Sequence, residues 1–520
     1  MKKLFTLLFV AVVATAARAT DYDVPLTITV DGVSVEQNGN ISVVVDNNGL
    51  YDLTVKNFML QSTDGPMGVG NVEVKGIKPI QEGNATLLLT KQTVTITEGD
   101  DPSVSFWMGP AIGEIPVDLR GKIVNGTLRC YLDINLESLE QVIQVAIGGD
   151  KGYQMPNPSF EDWHTSTGSY VEPNSWHSFE SATGKLVSLA GHHIEKSDDA
   201  HSGDACARIF STEVDAVFFK IIANGTMTTG RMNAGSASAA DARGNYAYLD
   251  MNMKDDNNQT PTDGNGDPFY TPLYSRPDAV SVWVKFKQGK ANSQHPNATI
   301  SAVITDGTYY QDPENTENNG NKPYTNVVAK AKNNMIETTG GQWKRIVIPF
   351  TYTEYNVDPK AVLITVSTNA DPGQGSDGDE VLVDDIEFIY NAKVTGLKVK
   401  GQDVTGFSAE QAEYEMELNE AITADDIEVA VEGKPYVVKY VEEKDGEYIC
   451  TIDVIGSDMK AKSTYVVKVK SSATGIRSIQ PAANQSATYF TLDGRQVSTL
   501  VPGNVYISRQ ADGTVKKIRP

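Results

Sequence analysis

Two carboxylates stand beside large apolar residues near the two ends of one segment of the chain. Glu161 follows Phe160 in the stretch "NPSFEDW", and Asp384 lies in "EVLVDDIEFIY". Because side chains alternate along a strand, the second stretch predicts one shared face for Leu382, Asp384, Ile386 and Phe388. The isoleucine and phenylalanine favour the core, so Asp384 is carried toward it. A buried lone carboxylate costs several kcal/mol unless it is paired or binds a metal ion, which makes both carboxylates candidates for a structural partner.

Three aromatic residues of the same segment are candidates for holding a ligand. Trp163 precedes the loop "HTSTGSY", which has too few apolar residues to build a core, and Tyr246 and Tyr248 alternate in "GNYAYLDMN". Sugar rings present C–H faces that pack on tryptophan and tyrosine, while their hydroxyls need polar partners. We predict Trp163 as the first ligand platform and the two tyrosines as the second. Trp176 and Trp283 are predicted to pack in the core.

Other motifs of known chemistry are absent or incomplete. His192, His193 and His201 lie near acidic residues, but without H-E-x-x-H spacing they are interpreted as polar loop residues. The stretch "DGNGD" (263–267) begins like a calcium loop, yet Pro268 stands where the loop glycine belongs, which favours a solvated acidic loop. The sequence has no G-x-S-x-G, no P-loop and no cysteine–histidine signature. Two facing carboxylates of a glycosidase cannot be chosen from 67 acidic residues, so no catalytic residue is assigned.

Composition indicates an exported protein of several domains. Lys2 and Lys3, the apolar run from Leu4 to Val13 and the A-x-A site ending at Ala19 predict a secretory signal peptide over residues 1–19. That run is shorter than the about 20 residues that span a bilayer, and no later segment is apolar enough to do so. The length of 520 residues predicts three or more domains, and only three cysteines argue against a disulfide framework. The formal net charge of −23 disfavours nucleic acid and anionic membranes as partners.

Residues 20–150 consist of short strands separated by turns. "PLTITV" places Leu26, Ile28 and Val30 on one face, and Asn125-Gly126 between two strands is a strong hairpin signal. Such a series predicts an antiparallel barrel or sandwich. The order and lengths of the strands resemble the calycin-like β-barrel domain of secreted bacterial proteins. This resemblance implies an apolar ligand inside the barrel; a filled barrel that serves as a spacer is the alternative.

Residues 153–391 resemble a second known architecture. Its pieces are "NPSFEDW" with "EPNSW", "DAHSGDACARIF" and "EVLVDDIEFIY". They are similar to signatures of galactose-binding-like jelly rolls, which include many carbohydrate-binding modules, and of a domain assigned to carbohydrate metabolism in secreted bacterial proteins. The resemblance implies a jelly-roll β-sandwich that binds a glycan. Two polar stretches, 254–272 and 309–326, are predicted to be functional walls or disordered insertions.

The jelly-roll resemblance also implies a partner for the carboxylates. In such folds the first and last strands are neighbours, which would bring Glu161 and Asp384 together. Calcium prefers six to eight oxygen ligands, so we predict a structural Ca²⁺ site that includes both carboxylates and oxygens of Ser202 and Asp204. The alternative is that Glu161 lies at a rim and meets Arg208 or solvent.

Two smaller units are predicted after residue 391. In residues 392–472 the stretch "AEYEMEL" alternates Tyr414, Met416 and Leu418, and the unit resembles immunoglobulin-like and bacterial cadherin-like sandwiches. Residues 485–520 resemble the C-terminal sorting domain of the type IX secretion system. This resemblance implies a short β meander that is recognised by the secretion machinery. The alternative is a set of strands that completes the third domain of a periplasmic protein.

The sequence therefore predicts an all-β protein with four folded parts: barrel, jelly roll, small sandwich and meander. The predicted function is non-catalytic glycan binding, in glycan capture or utilisation, outside the cell or at the outer-membrane surface. A glycoside-active enzyme and a structural adhesin without sugar binding are the two alternatives.

Overall fold

Almost all secondary-structure elements of the described residues are β-strands, as predicted. The computed structural model describes residues 18–62, 65–136, 141–166, 170–216, 219–418, 420–471, 488–492, 495–509 and 515–520. The apolar run of the predicted signal peptide lies outside these residues. The described helices are short: α1 (Gly109–Ile112), α2 (Val187–Ala190) and the 3₁₀ turns Phe179–Ser181, Glu317–Asn319 and Ala424–Asp426. Within the described ranges, no helix has the length and apolar character needed to cross a membrane.

Contacts divide the chain into two units. Unit 1 runs to Asn391 and also includes Ile455–Ala461, whereas unit 2 comprises Ala392–Val454 and Lys462–Pro520. Unit 1 holds the barrel and the central sandwich, which are described first.

Nine antiparallel strands build the N-terminal barrel. They are β1 (Arg18–Val30), β2 (Val33–Val45), β3 (Tyr51–Ser62), β4 (Gly65–Ile77), β5 (Pro79–Glu82), β6 (Ala85–Thr97), β7 (Glu114–Val124), β8 (Thr127–Leu136) and β9 (Gln141–Ile147). Their order is β4-β3-β2-β1-β9-β8-β7-β6-β5, and pairing of β4 with β6 closes a ring of eight strands. Eight strands leave an interior just wide enough for side chains to fill.

Strand alternation fills this interior. Leu26 and Ile28 are buried as predicted, and they belong to one cluster of buried side chains to which all eight ring strands contribute. Asn125 and Gly126 join β7 to β8 with φ values of 50° and 76°, the left-handed conformation that a two-residue type I′ hairpin requires. Both sequence predictions for the barrel are thus confirmed, and its interior is packed with side chains.

The central part of unit 1 is a sandwich of two main antiparallel sheets. Its strands are β10 (Trp163–Thr165), β11 (Val171–Pro173), β12 (Ile194–Ser197), β13 (Cys206–Phe210), β14 (Thr212–Ala216), β15 (Phe219–Ala223), β16 (Thr226–Thr228), β17 (Arg231–Ala234), β18 (Asn245–Leu249), β19 (Thr271–Pro272), β20 (Ala279–Lys287), β21 (Ala298–Thr305), β22 (Tyr310–Asp312), β23 (Val327–Ile336), β24 (Lys344–Pro349), β25 (Thr351–Tyr352), β26 (Ala361–Ser367) and β27 (Glu380–Ile389). One sheet has the order β12-β13-β27-β20-β24, and the other has the order β16-β26-β21-β23-β25 with β19 beside β26. The chain crosses repeatedly between the sheets, and the main hydrophobic core lies between them.

A bulge in β27 changes which residues face this core. Asp385 has φ of 46°, and the pairing of β27 with β20 shifts register between Ser281 and Trp283. Consequently Val381 and Val383 face the core before the bulge, and Ile386 and Phe388 face it afterwards. The predicted shared face for Leu382, Asp384, Ile386 and Phe388 is therefore wrong, because strict alternation does not pass through a bulge.

Unit 2 contains a small sandwich and a terminal sheet. Its strands are β28 (Val394–Val399), β29 (Gln402–Asp403), β30 (Glu413–Leu418), β31 (Ile427–Val431), β32 (Tyr436–Lys444), β33 (Glu447–Ile455), β34 (Lys462–Ser471), β35 (Thr488–Thr491), β36 (Gln496–Val497), β37 (Tyr506–Arg509) and β38 (Val515–Ile518). The sheets are β29-β28-β31, β30-β34-β33-β32 and β36-β35-β37-β38. Tyr414 and Leu418 are buried in the sandwich core and Met416 packs against it, as the alternation predicts.

Candidate functional site

Glu161 and Asp384 both bind the backbone of the loop 201–205. Asp384 Oδ2 accepts hydrogen bonds from the first two amides of the loop at 2.8 and 3.1 Å. Glu161 Oε1 accepts from its last two amides at 2.9 and 3.2 Å. Gly203 lies between them with φ of 64°, and a Cβ there would come within 2.0 Å of Glu161 Oε1, so a glycine is required. The structure thus gathers the four predicted ligands, Glu161, Asp384, Ser202 and Asp204.

Asp384 is a buried carboxylate held by amides. Its side chain is fully buried, and its second oxygen accepts from the amide of Asp385 at 2.8 Å. Burial raises the pKa of Asp384 above its usual value, although the amide hydrogen bonds oppose the shift. Arg208, the alternative partner of Glu161, pairs instead with two other glutamates. Direct hydrogen bonds therefore hold the loop, and the calcium site stays a prediction.

The outer side of the same loop carries an aromatic stack. His201 lies with its ring centroid 3.7 Å from that of Trp283, at an angle of 15°. Asp385 fixes this arrangement, since its carboxylate contacts His201 Nδ1 at 2.6 Å and accepts from Ser202 Oγ at 2.7 Å. Trp283 is half-buried on the face opposite the core, so the prediction that it packs in the core is wrong. Trp176, by contrast, is fully buried in the core as predicted.

The predicted tyrosines lie on a polar face of the small sheet β17-β18-β22. Strand register pairs Tyr248 with Arg231 and Gln311, and Tyr246 with Asn233. Because paired residues point to the same side of a sheet, these five side chains share one face, which we call the tyrosine face. The opposite side packs into a second core that includes Met232, Ala247 and Leu249.

Neutral phenols and an amide give the tyrosine face its hydrogen-bonding character. The rings of Tyr246 and Tyr248 lie 5.6 Å apart, and Tyr309 lies 6.1 Å from Tyr248. Tyr309 Oη donates to Gln311 Oε1 at 2.9 Å. Burial raises the pKa values of Tyr246 and Tyr309, so both phenols stay neutral at physiological pH. Both tyrosines of β18 are half-buried, which leaves part of each ring open to a ligand.

Trp163 has a different environment from the tyrosines. It begins β10, it is half-buried, and it packs against the main core. Its indole N–H donates to the carbonyl of Phe160 at 2.5 Å. This position makes Trp163 part of the edge of the core, and it disfavours Trp163 as the first ligand platform.

Sequence reasoning missed a cluster of four ionisable side chains, which we call the histidine–carboxylate cluster: His164, Glu172, His177 and Asp263. Asp263 Oδ2 lies 3.5 Å from His164 Nε2 and 3.4 Å from His177 Nδ1. Ligand atoms of His164, Glu172 and Asp263 all lie within 4.8 Å of one another. Glu172 and His177 are fully buried, and only 1% of the Asp263 side chain is exposed. The predicted solvated loop at 263–267 is therefore wrong for Asp263, whose side chain is buried.

A local signal for this cluster exists in the sequence. Three of its members lie within residues 164–177, and β10 and β11 form the hairpin that pairs His164 directly with Glu172. The fourth member, Asp263, comes from the polar stretch 254–272. Nothing in that stretch alone indicates that Asp263 contacts the two histidines. The signal was therefore a group of possible ligands on a short hairpin rather than a known motif.

Comparisons with known proteins are informative for the barrel. A search of curated proteins finds no match for this chain. A crystal structure of a "putative glycoside hydrolase" from Bacteroides vulgatus ATCC 8482 is 18% identical, covering 45% of this chain and 97% of that chain at a TM-score of 0.29. Another, from Bacteroides thetaiotaomicron VPI-5482, is 14% identical, covering 53% and 86% at a TM-score of 0.32. Similarity at these TM-scores supports no inference about activity. Residues 19–150, the eight-stranded closed barrel, match the family model of the calycin-like beta-barrel domain.

Proposed function

We propose that the central sandwich binds a neutral glycan on the tyrosine face and that the protein acts as a non-catalytic glycan-binding protein outside the cell or at the outer-membrane surface. One observation carries the proposal: two half-buried tyrosines stand beside an arginine and two amide side chains on one face of a small sheet whose other face packs against a hydrophobic core. A sheet face without a binding role could carry smaller polar side chains in place of these two tyrosines.

The chemistry of the face matches that of a sugar. Tyrosine rings pack on the C–H faces of a sugar ring, and the polar side chains of Arg231 and Asn233 lie beside them on the same face. The net charge of −23 favours a neutral glycan over an anionic one, since long-range repulsion would slow the approach of an acidic ligand.

The amide of Gln311 is buried beneath the tyrosine face and is already held in position. Gln311 Nε2 donates to the carbonyls of Ala242 and Pro313, both at 2.9 Å, and Gln311 Oε1 accepts from Asn318 and Tyr309. Asn318 belongs to the polar stretch 309–326, which the sequence predicts to be a functional wall or a disordered insertion. Its hydrogen bond to Gln311 connects this stretch to the tyrosine face. Gln311 thereby fixes the neighbouring Tyr309, and a side chain that is already fixed costs less to order when a ligand binds.

A glycan array followed by calorimetric titration tests the proposal on residues 20–520. Tyr248→Ala and Tyr246→Ala should each weaken binding of the best neutral oligosaccharide more than tenfold, because truncating a stacked aromatic hot spot costs about 2 kcal/mol and a tenfold loss needs only about 1.4 kcal/mol. Tyr355→Ala is the matched control, because Tyr355 is an exposed tyrosine of the same sandwich. The control should bind like the wild type, and all three variants should keep the wild-type melting temperature.

Other results would select the alternative functions. Release of sugar from an oligosaccharide by the wild type would identify a glycoside-active enzyme. If the wild type bound no glycan of a broad panel, a structural adhesin without sugar binding would be the remaining function. If Trp163→Phe weakened binding and both tyrosine variants did not, Trp163 would be the platform after all.

A further inference from the structure

The histidine–carboxylate cluster contains three buried polar atoms with no hydrogen-bond partner. These atoms are His164 Nε2, His177 Nδ1 and Asp263 Oδ2. Each of the two nitrogens lies near this one oxygen, at 3.5 Å for His164 and 3.4 Å for His177. Buried polar atoms are nearly always paired, and leaving three unpaired at one point would cost several kcal/mol. Their convergence indicates that something binds between them.

Contacts on the far side of each ring define which nitrogens carry hydrogen. His177 Nε2 lies 3.3 Å from the carbonyl of Pro268, which can only accept, so this nitrogen is the N–H. His164 Nδ1 lies 3.1 Å from Asn174 Oδ1, which can also only accept, so Nδ1 is the N–H of this ring. In the neutral form, both rings therefore turn a lone pair toward the lone pairs of Asp263. Such an arrangement is repulsive unless a cation lies between them.

Charge and distance favour a divalent metal ion over a proton. Glu172 and Asp263 bring two negative charges into a buried site, and the described residues offer neither of them an ion pair with a lysine or arginine. A protonated histidine would bond to a carboxylate at about 2.7–2.9 Å, which is shorter than both observed separations. Ligand atoms at about 2.0–2.1 Å from a tetrahedral zinc ion lie about 3.3 Å apart, close to the 3.4 and 3.5 Å found here.

We propose that this cluster binds one zinc-like divalent transition-metal ion. His164, Glu172 and Asp263, whose ligand atoms lie within 4.8 Å of one another, are three ligands, and His177 Nδ1, 3.4 Å from Asp263 Oδ2, is the fourth. Two nitrogens and two carboxylate oxygens suit zinc, and a buried site with four protein ligands is of the structural type. The inference stands independently of sugar binding.

Outer contacts hold the proposed ligands in place. Asp263 Oδ1 accepts from the amides of Asn265 and Asp267, both at 2.9 Å, which turns Oδ2 toward the imidazoles. Glu172 accepts from Ser166 Oγ at 2.9 Å and from the amide of Ser178 at 2.5 Å. Such partners orient ligands and raise metal affinity. The ion would join the β10–β11 hairpin to the polar stretch 254–272.

Metal analysis of residues 20–520 tests the proposal. The protein is stripped with a zinc chelator, reloaded with ZnCl₂ alone and desalted, and we expect one zinc ion per chain by elemental analysis. Asp263→Asn and His177→Gln should each raise the zinc Kd by at least about 100-fold, because even partners outside the ligand shell contribute 10–100-fold. The control is His193→Gln, since His193 is also buried but both its ring nitrogens contact backbone carbonyls. This control should keep one zinc ion.

Two results would overturn the inference. One is a wild-type chain that retains no zinc after reloading, which would mean that a proton occupies the site. The other is an Asp263→Asn variant that binds zinc as tightly as the wild type. If the variants do not fold, X-ray absorption of the zinc-loaded wild type decides: nitrogen and oxygen ligands at about 2.0–2.1 Å with two imidazoles support the site, and sulfur or a single imidazole contradicts it. The variants Tyr246→Ala and Tyr248→Ala should keep the ion, which separates this test from that of the glycan proposal.

Discussion

Lys122 of the barrel gives a prediction whose magnitude follows from the structure. Its side chain on β7 is buried, with Nζ donating to the carbonyl of Tyr274 at 2.8 Å. Burial lowers the pKa of Lys122 from 10.5 to about 8, although the charges of Glu82, Asp458 and Asp358 oppose the shift. The difference between the folded and unfolded pKa values corresponds to about 3 kcal/mol of free energy of unfolding.

The sign of the pH effect follows from proton counting. Below pH 8 Lys122 is charged in both states, and the folded state carries the whole cost of burying the ammonium. Between pH 8 and 10.5 the folded state loses the proton first, so the unfolded state binds more protons and the free energy of unfolding rises with pH. Relative to Lys122→Met, which has no proton to lose, the wild type should therefore gain up to about 3 kcal/mol over this interval.

Urea unfolding at pH 7, 8, 9 and 10 measures this gain. All five tryptophans lie in unit 1, so tryptophan fluorescence reports the unit that contains Lys122. Lys78→Met, which removes an exposed lysine of the same barrel, controls for the loss of one positive charge. A difference between wild type and Lys122→Met that stays constant from pH 7 to 10 would refute the reasoning. A difference of opposite sign would show that the neighbouring carboxylates outweigh burial.

The remaining predictions concern the loop 201–205 and the tail. In buffer with zinc, a calcium-selective chelator should lower the melting temperature of unit 1, calcium should restore it, and Glu161→Gln should abolish the response, because an ion bound only by the folded state stabilises it. An unchanged melting temperature in chelator would contradict the calcium site. Deletion of residues 485–520 should leave glycan binding and the unit 1 transition unchanged but retain the protein in the periplasm. Detection of the truncated chain at the cell surface by antibody labelling would contradict that role.

Strand alternation and turn chemistry predicted most of the fold. They identified the strand faces of Leu26 and Ile28, the Asn125-Gly126 hairpin and the buried residues of β30, because these features depend on neighbours in sequence. The prediction failed at Asp385, where one extra residue opposite β20 reverses the faces of β27. A bulge of this kind is set by pairing with another strand, so no local pattern reveals it.

The sites were predictable only in part, for a similar reason. Glu161 and Asp384 were identified because each stands beside a core residue, yet their partners are backbone amides of a loop, which carry no side-chain signature. The histidine–carboxylate cluster needs Asp263 from a polar stretch far along the chain from His164 and His177. Long-range contacts of this sort follow from the topology of the sandwich rather than from spacing.

Asp263 and Asp384, two of the buried carboxylates of the sandwich, show why a cation is expected at the first site and is not required at the second. Both oxygens of Asp384 accept hydrogen bonds from backbone amides, so its charge is solvated by donors that cannot be removed by titration. Asp263 has amides on Oδ1 alone, and its Oδ2 faces two imidazoles whose N–H groups are engaged elsewhere. A buried oxygen surrounded by lone pairs is stable only with a positive centre beside it. Removal of zinc should therefore destabilise the β10–β11 hairpin, whereas the loop 201–205 keeps its amide hydrogen bonds in either state.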